Sequence, residues 1–204
     1  MRKTRGLLLF AALLAAAACR PHAPAVAPGP AASIRDTDFR NFQYVHQRVT
    51  MRLADGAQPE VRRNGIVREE GYYLDSIAYA DVTGDGREEA VVTIEELTGG
   101  SAIPHWVFVY GDGERNPQLL WSFETGDRAY GGLKDVYADG GKLVVELYGR
   151  DRLPSEPESL HRDDGTSRGM CCPSLFTRSR YAWNGRAFVL DGAEVLPYEP
   201  EGRE

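Results

Sequence analysis

The chain has little cysteine, three residues in 204, and no Cys-x-x-Cys pair. Zinc ribbons and disulfide-dense scaffolds, which use four or more placed sulfurs in place of a core, are excluded. It has no basic stripe either: 24 Lys and Arg stand against 30 Asp and Glu, for a net charge of −6. A polynucleotide partner needs cations that displace counterions from phosphates, so none is expected. No apolar run approaches the roughly 20 residues that a bilayer-spanning helix requires. No 3.6-residue apolar period is sustained for three turns, and no Gly-x-Ser-x-Gly, phosphate-binding loop or dinucleotide fingerprint occurs. The four histidines, His22, His46, His105 and His161, are dispersed without an i, i+4 pair, which gives no helical metal site.

The N-terminus is more informative. Arg2, Lys3 and Arg5 precede an apolar stretch, Leu7 to Ala15, and then the small residues Ala16, Ala17 and Ala18, ending at Cys19. This reads as a secretory signal over residues 1–18. A cysteine directly after small residues resembles the lipobox of bacterial lipoproteins, which predicts lipidation of Cys19, although the usual Leu three residues before the cysteine is Ala16 here. Residues 19–35 follow as the lipidated cysteine and its tether: Arg20 to Ser33 holds four prolines and five alanines and no aromatic residue, a stiff polyproline-like spacer. Removal of residues 1–18 takes away three basic residues and no acid, leaving 21 against 30 and a net charge of −9. An acidic exported chain favours cationic ligands, cationic proteins or divalent metals.

Residues 36–198 read as one exported β domain, with a disordered tail at 199–204. Short apolar or β-branched runs alternate with Gly, Asp and Asn clusters, the pattern of short strands joined by turns. Candidate strands are Val49 to Leu53, Leu74 to Ala80, Ala90 to Leu97, Trp106 to Tyr110, Leu119 to Phe123, Leu133 to Tyr137, Lys142 to Tyr148, Thr177 to Trp183 and Ala187 to Leu190. Asp55-Gly56 ends the first, and Asp112-Gly113 and Asp139-Gly140-Gly141 are further turns. Asn184-Gly185 predicts a two-residue type I′ turn, because that turn needs positive φ at both central residues. The expected fold class is all-β and mainly antiparallel, a small sandwich or partly open barrel. Leu153 to Ser174 breaks the rhythm with three prolines and two cysteines, and reads as a long functional or flexible loop.

One motif carries chemistry. Asp81-Val-Thr-Gly-Asp-Gly-Arg-Glu-Glu89 places oxygen donors at loop positions one, three, five and nine with glycine at six. That is calcium-loop spacing, with Asp81, Thr83, Asp85, Glu89 and the carbonyl of Arg87 as the candidate ligands. The twelfth position is Val92 rather than a bidentate Glu, and the flanks read as strands, which excludes an EF-hand. The loop looks like the Gly-Asp-Gly loops of FG-GAP and integrin-type repeats, although one copy cannot build a propeller. The alternative is a tight turn whose acids cap backbone amides.

Two further features stand out. In an oxidising compartment Cys171 and Cys172 are candidates for a disulfide between neighbours, with a buried or intermolecular thiol pair as the alternative. Tyr72, Tyr73, Trp106 and Tyr130 are candidate partner-contact residues, since Tyr and Trp often anchor interfaces; packing into the core is their alternative.

Three segments together resemble a group of bacterial lipoproteins similar to the LppP/LprE family: Tyr79 to Val92 with its Gly-Asp-Gly loop, Leu120 to Arg128, and Cys171-Cys-Pro-Ser174 followed by Tyr181-Ala-Trp-Asn-Gly185. The resemblance implies an exported, acylated chain anchored at the outer membrane or the outer face of the plasma membrane, and brings no catalytic residues. The function expected is a non-enzymatic envelope lipoprotein whose β domain binds another envelope protein or a cell-wall component. Two alternatives are a cell-wall hydrolase using Asp127 or Asp163, and an inhibitor of an exported hydrolase such as lysozyme, inserting Ser101 to His105 or Met170 to Ser174.

Overall fold

In a computed structural model the described residues are 33–61, 67–127, 131–150, 152–154 and 173–198. Cys19, Tyr130, Cys171 and Cys172 lie outside them, so the lipidation, disulfide and one contact expectation are not addressed by the fold. The strands are β1 (Gln43–His46), β2 (Val49–Arg52), β3 (Ala57–Val61), β4 (Val67–Ala80), β5 (Glu89–Leu97), β6 (His105–Gly111), β7 (Gln118–Glu124), β8 (Leu133–Asp139), β9 (Lys142–Tyr148), β10 (Leu175–Trp183) and β11 (Phe188–Pro197). Two short 3-10 helices, Ile34–Asp36 and Phe39–Asn41, precede them. All pairings between strands are antiparallel, in a hairpin β1-β2, a five-stranded sheet β3-β4-β5-β6-β7 and a four-stranded sheet β11-β10-β9-β8. The architecture is the expected all-β sandwich, and no sheet closes into a barrel.

The middle strands of the larger sheet are buried on both faces, which explains their unbroken apolar sequences. In β6, Trp106, Phe108 and Tyr110 point one way and Val107 and Val109 the other, because successive side chains alternate. The aromatic face packs with Ala90, Val92 and Ile94 of β5 beneath Phe39, Tyr44 and Met51 of the N-terminal hairpin segment. The valine face packs with Val91 and Phe123 against Leu143, Val145, Leu147 and Tyr181 of the four-stranded sheet. Ring size matches the two partners: Tyr44 meets Phe108 at 5.0 Å and Phe42 meets Tyr110 at 5.4 Å between ring centroids. Each fully buried large apolar side chain contributes roughly 1.5–3 kcal/mol.

Turns follow their residues with one correction. Gly140 and Gly141, at φ 58° and 74°, form the two-residue turn in which Asp139 pairs with Lys142. At Asn184-Gly185 the expected two-residue turn is a four-residue loop, since Trp183 pairs with Phe188 and only Gly185 has positive φ. The Asn184 side chain is the cause: its Oδ1 accepts from the amides of Arg186 and Ala187 at 3.0 and 2.9 Å, holding the chain open by an Asx-type turn. Asp55-Gly56 ends β2 as expected and turns the chain into β3, a strand the sequence did not suggest.

Candidate functional site

The Gly-Asp-Gly loop joins β4 to β5. Val82 is fully buried in the sandwich core, which pins one side of the loop. Asp81 closes the other: its Oδ1 accepts from Gly84 N at 2.6 Å and its Oδ2 from Gly86 N at 2.9 Å. Both glycines sit in the left-handed region, at φ 75° and 84°, where a side chain costs energy. Glu89 is 4% exposed, and its carboxylate accepts from the amides of Val82 and Thr83 at 3.0 and 3.2 Å and from the Thr83 hydroxyl at 3.3 Å. Burial pushes the Glu89 carboxyl above the ordinary glutamate value despite those amides. Asp85 receives the Arg87 guanidinium, from Nη2 at 2.8 Å and Nε at 3.1 Å, and the Arg87 amide at 2.9 Å. The hydrogen bonds of Arg87 hold the Asp85 carboxyl below its usual range.

The predicted ligands Asp81, Thr83, Asp85, Arg87 and Glu89 are thus in one loop, with the carboxylates of Asp81, Asp85 and Glu89 each engaged by loop donors. Among the described residues no three His, Cys, Asp or Glu side chains are gathered as a metal-binding group. A cation at this loop has to displace Arg87 from Asp85. The loop also docks on the other sheet: a Cβ built on Gly141 falls 3.0 Å from Gly84 Cα, and one on Gly84 falls 3.3 Å from Gly141 O. At the same end Arg35, in the first 3-10 helix, forms a bidentate pair with Glu88 at 2.6 and 2.8 Å and lies 4.5 Å over the Tyr79 ring.

A second polar centre was not foreseen. Glu146 on β9 points to the outer face of the four-stranded sheet, yet its side chain is only 3% exposed. Lys134 Nζ pairs with its Oε2, Arg178 Nε donates to Oε1 at 2.6 Å, and the Tyr137 hydroxyl donates to Oε1 at 3.2 Å. Both cations also lie over the Phe176 ring, at 4.3 and 5.6 Å. Glu194 on β11 extends the network to Arg178 and Arg180 at 3.4 and 3.1 Å. Burial raises the Glu146 pKa, but the hydrogen bonds and charges of Lys134 and Arg178 outweigh it and hold the carboxyl below its ordinary value. A carboxylate held ionised by two cations is a poor proton donor and a good cross-link between strands.

Trp106, expected at a contact surface, is corrected to a core residue. It is 4% exposed, its indole Nε1 donates to Glu96 Oε2 at 2.9 Å, and His46 and Tyr72 stand edge-on to it at 5.5 and 6.4 Å. The reason is the two-sided burial of β6. Tyr72 and Tyr73 are half-buried. Apolar side chains reach solvent elsewhere: Val189 and Leu190 on β11 are 49% and 43% exposed. They border a seam where the edge strands β7 and β11 meet, with Trp121 stacked on Phe188 at 5.5 Å and Trp183 tilted against Phe188 at 5.0 Å. Asp127 is half-buried just after β7, and Asp163 lies outside the described residues.

No protein-family model, curated protein or solved structure matches the chain.

Proposed function

We propose that the chain is a non-enzymatic lipoprotein of the bacterial envelope, anchored through Cys19, whose β sandwich binds another envelope component. The observation that carries the reading is the order of segments ahead of the sandwich. A signal-like stretch ends at Cys19, a Pro- and Ala-rich spacer follows, and it runs into Ser33, which caps the first 3-10 helix with a reciprocal capping box to Asp36. The adjoining Arg35–Glu88 pair fixes this entry point to the sandwich. The resemblance to LppP/LprE-type lipoproteins supports the same reading from the residues quoted for it. With Trp106 in the core, the contact surface in this reading is the edge strand β11, where Val189 and Leu190 are exposed beside the half-buried Phe188, since apolar side chains that reach solvent together mark interaction sites.

Intact mass of the protein from membrane and soluble fractions tests the anchor. The expected result is an acylated chain beginning at Cys19 in the membrane fraction. An unacylated chain recovered from the soluble fraction overturns the reading.

A further inference from the structure

We propose that Asn184 is a modification site, at which the side-chain amide converts spontaneously to an acid and loosens the tip of the β10–β11 hairpin. The site is independent of the anchor and of any partner.

The loop Asn184–Ala187 is closed by Asn184 N donating to Ala187 O at 3.1 Å. Its second residue is Gly185, which has no side chain to shield the backbone nitrogen; a Cβ built there meets nothing within 4 Å. Asn184 and Gly185 are both exposed, and the Gly185 amide has no hydrogen-bond acceptor among the described residues. The electrophile is prepared as well. Two backbone amides, of Arg186 and Ala187, donate to Asn184 Oδ1 at 3.0 and 2.9 Å. They polarise the side-chain carbonyl in the way paired donors stabilise charge developing on oxygen.

The reaction balances without an oxidant or reductant. The Gly185 nitrogen, having given its proton to solvent, forms a bond to Asn184 Cγ. The Cγ–Nδ2 bond breaks and ammonia leaves with the proton it needs. Water then opens the cyclic imide at either carbonyl, giving aspartate, or isoaspartate with the chain running through Cγ. Isoaspartate lengthens the backbone by one methylene and removes the Oδ1 cap from both amides. The strand pair directly below is Trp183 with Phe188, whose rings hold the seam against Trp121. The conversion therefore acts next to the half-buried aromatic cluster of Trp121, Trp183 and Phe188.

The test uses the full chain kept in warm, mildly alkaline buffer, native or in concentrated urea, and then digested with trypsin. Cleavage after Arg180 and Arg186 isolates Tyr181–Arg186, and cleavage after Arg63 and Arg68 isolates Asn64–Arg68, which carries the other Asn-Gly pair and times the urea arm. Expected is a Tyr181–Arg186 peptide that gains the amide-to-acid mass and splits into two isomers, at a native rate within about tenfold of the unfolded rate. Asn184→Ser, which keeps an oxygen acceptor at the turn, abolishes the gain. Conversion confined to urea, or slowed in the native protein beyond that factor, overturns the proposal, because the fold then holds the nitrogen away from Cγ.

Discussion

Gly140 and Gly141 offer a controlled perturbation of the junction between the two sheets. Both occupy the left-handed region, at φ 58° and 74°, so alanine at either position costs roughly 1–2 kcal/mol of backbone strain. They differ in surroundings. A Cβ on Gly140 meets nothing within 4 Å, whereas one on Gly141 lies 3.0 Å from Gly84 Cα and 3.6 Å from Gly84 N. That contact is backbone against backbone. Gly84 is held by Asp81 Oδ1, and Gly141 by the Asp139–Lys142 pairing, so neither side yields cheaply. Forcing a carbon into a packed contact of this kind costs about 1–3 kcal/mol. Gly141→Ala is therefore expected to lose that much more stability than Gly140→Ala in urea unfolding, with m unchanged. In a domain of 150–250 residues each kcal/mol moves Tm by about 2–4 °C, so the two variants separate clearly in a thermal melt. Equal losses refute the reasoning, since the Gly-Asp-Gly loop then does not rest on the β8–β9 turn.

The Glu146 network makes a second prediction. Removing one partner of a buried ion pair costs about 3–5 kcal/mol, and Lys134 and Arg178 are 23% and 28% exposed and can turn to water, so Glu146→Gln is expected to lose about 2–3 kcal/mol. In the folded protein the Glu146 carboxyl is held below its ordinary value. Its stabilisation is present above the unfolded value and lost as pH falls through the folded one, so the variant and the parent converge in acid; a difference that stays constant with pH contradicts the charged network. For the Gly-Asp-Gly loop, the hydrogen bonds within it predict a Tm that neither chelator nor added calcium changes. A calcium-dependent rise in Tm that Asp85→Ala abolishes establishes the loop as a metal site instead.

Much of the fold was legible because its strands have strong local signals. The run Ala90 to Leu97 and the Trp-Val-Phe-Val-Tyr of β6 read as strands from composition alone. The two strands not foreseen have physical reasons for their silence. Gln43–His46 is four residues long and buries only Tyr44 fully, too short for a period to register. Ala57–Val61 contains Pro59, which argues against a strand in general and is tolerated here because β3 is the edge of its sheet. Trp106 was misplaced although the clue was present: a strand whose two faces are both apolar is covered on both sides, and its aromatics are then core rather than contact residues.

The sites were less legible, for two distinct reasons. Glu146 finds Lys134 twelve residues away and Arg178 thirty-two residues away, on neighbouring strands whose register alone brings the charges together. No spacing in the chain announces such a network. The Gly-Asp-Gly loop is wholly local, and its ambiguity is chemical. An acid that caps the amides of a glycine turn occupies the same sequence position as an acid that ligates a cation, because both tasks need a carboxylate folded back over a left-handed backbone. What distinguishes them is the fifth position of the loop. Asp85 is turned toward Arg87, the cation already in the sequence two residues on, so the local charge is met within the chain, and the metal has to compete with a guanidinium for it.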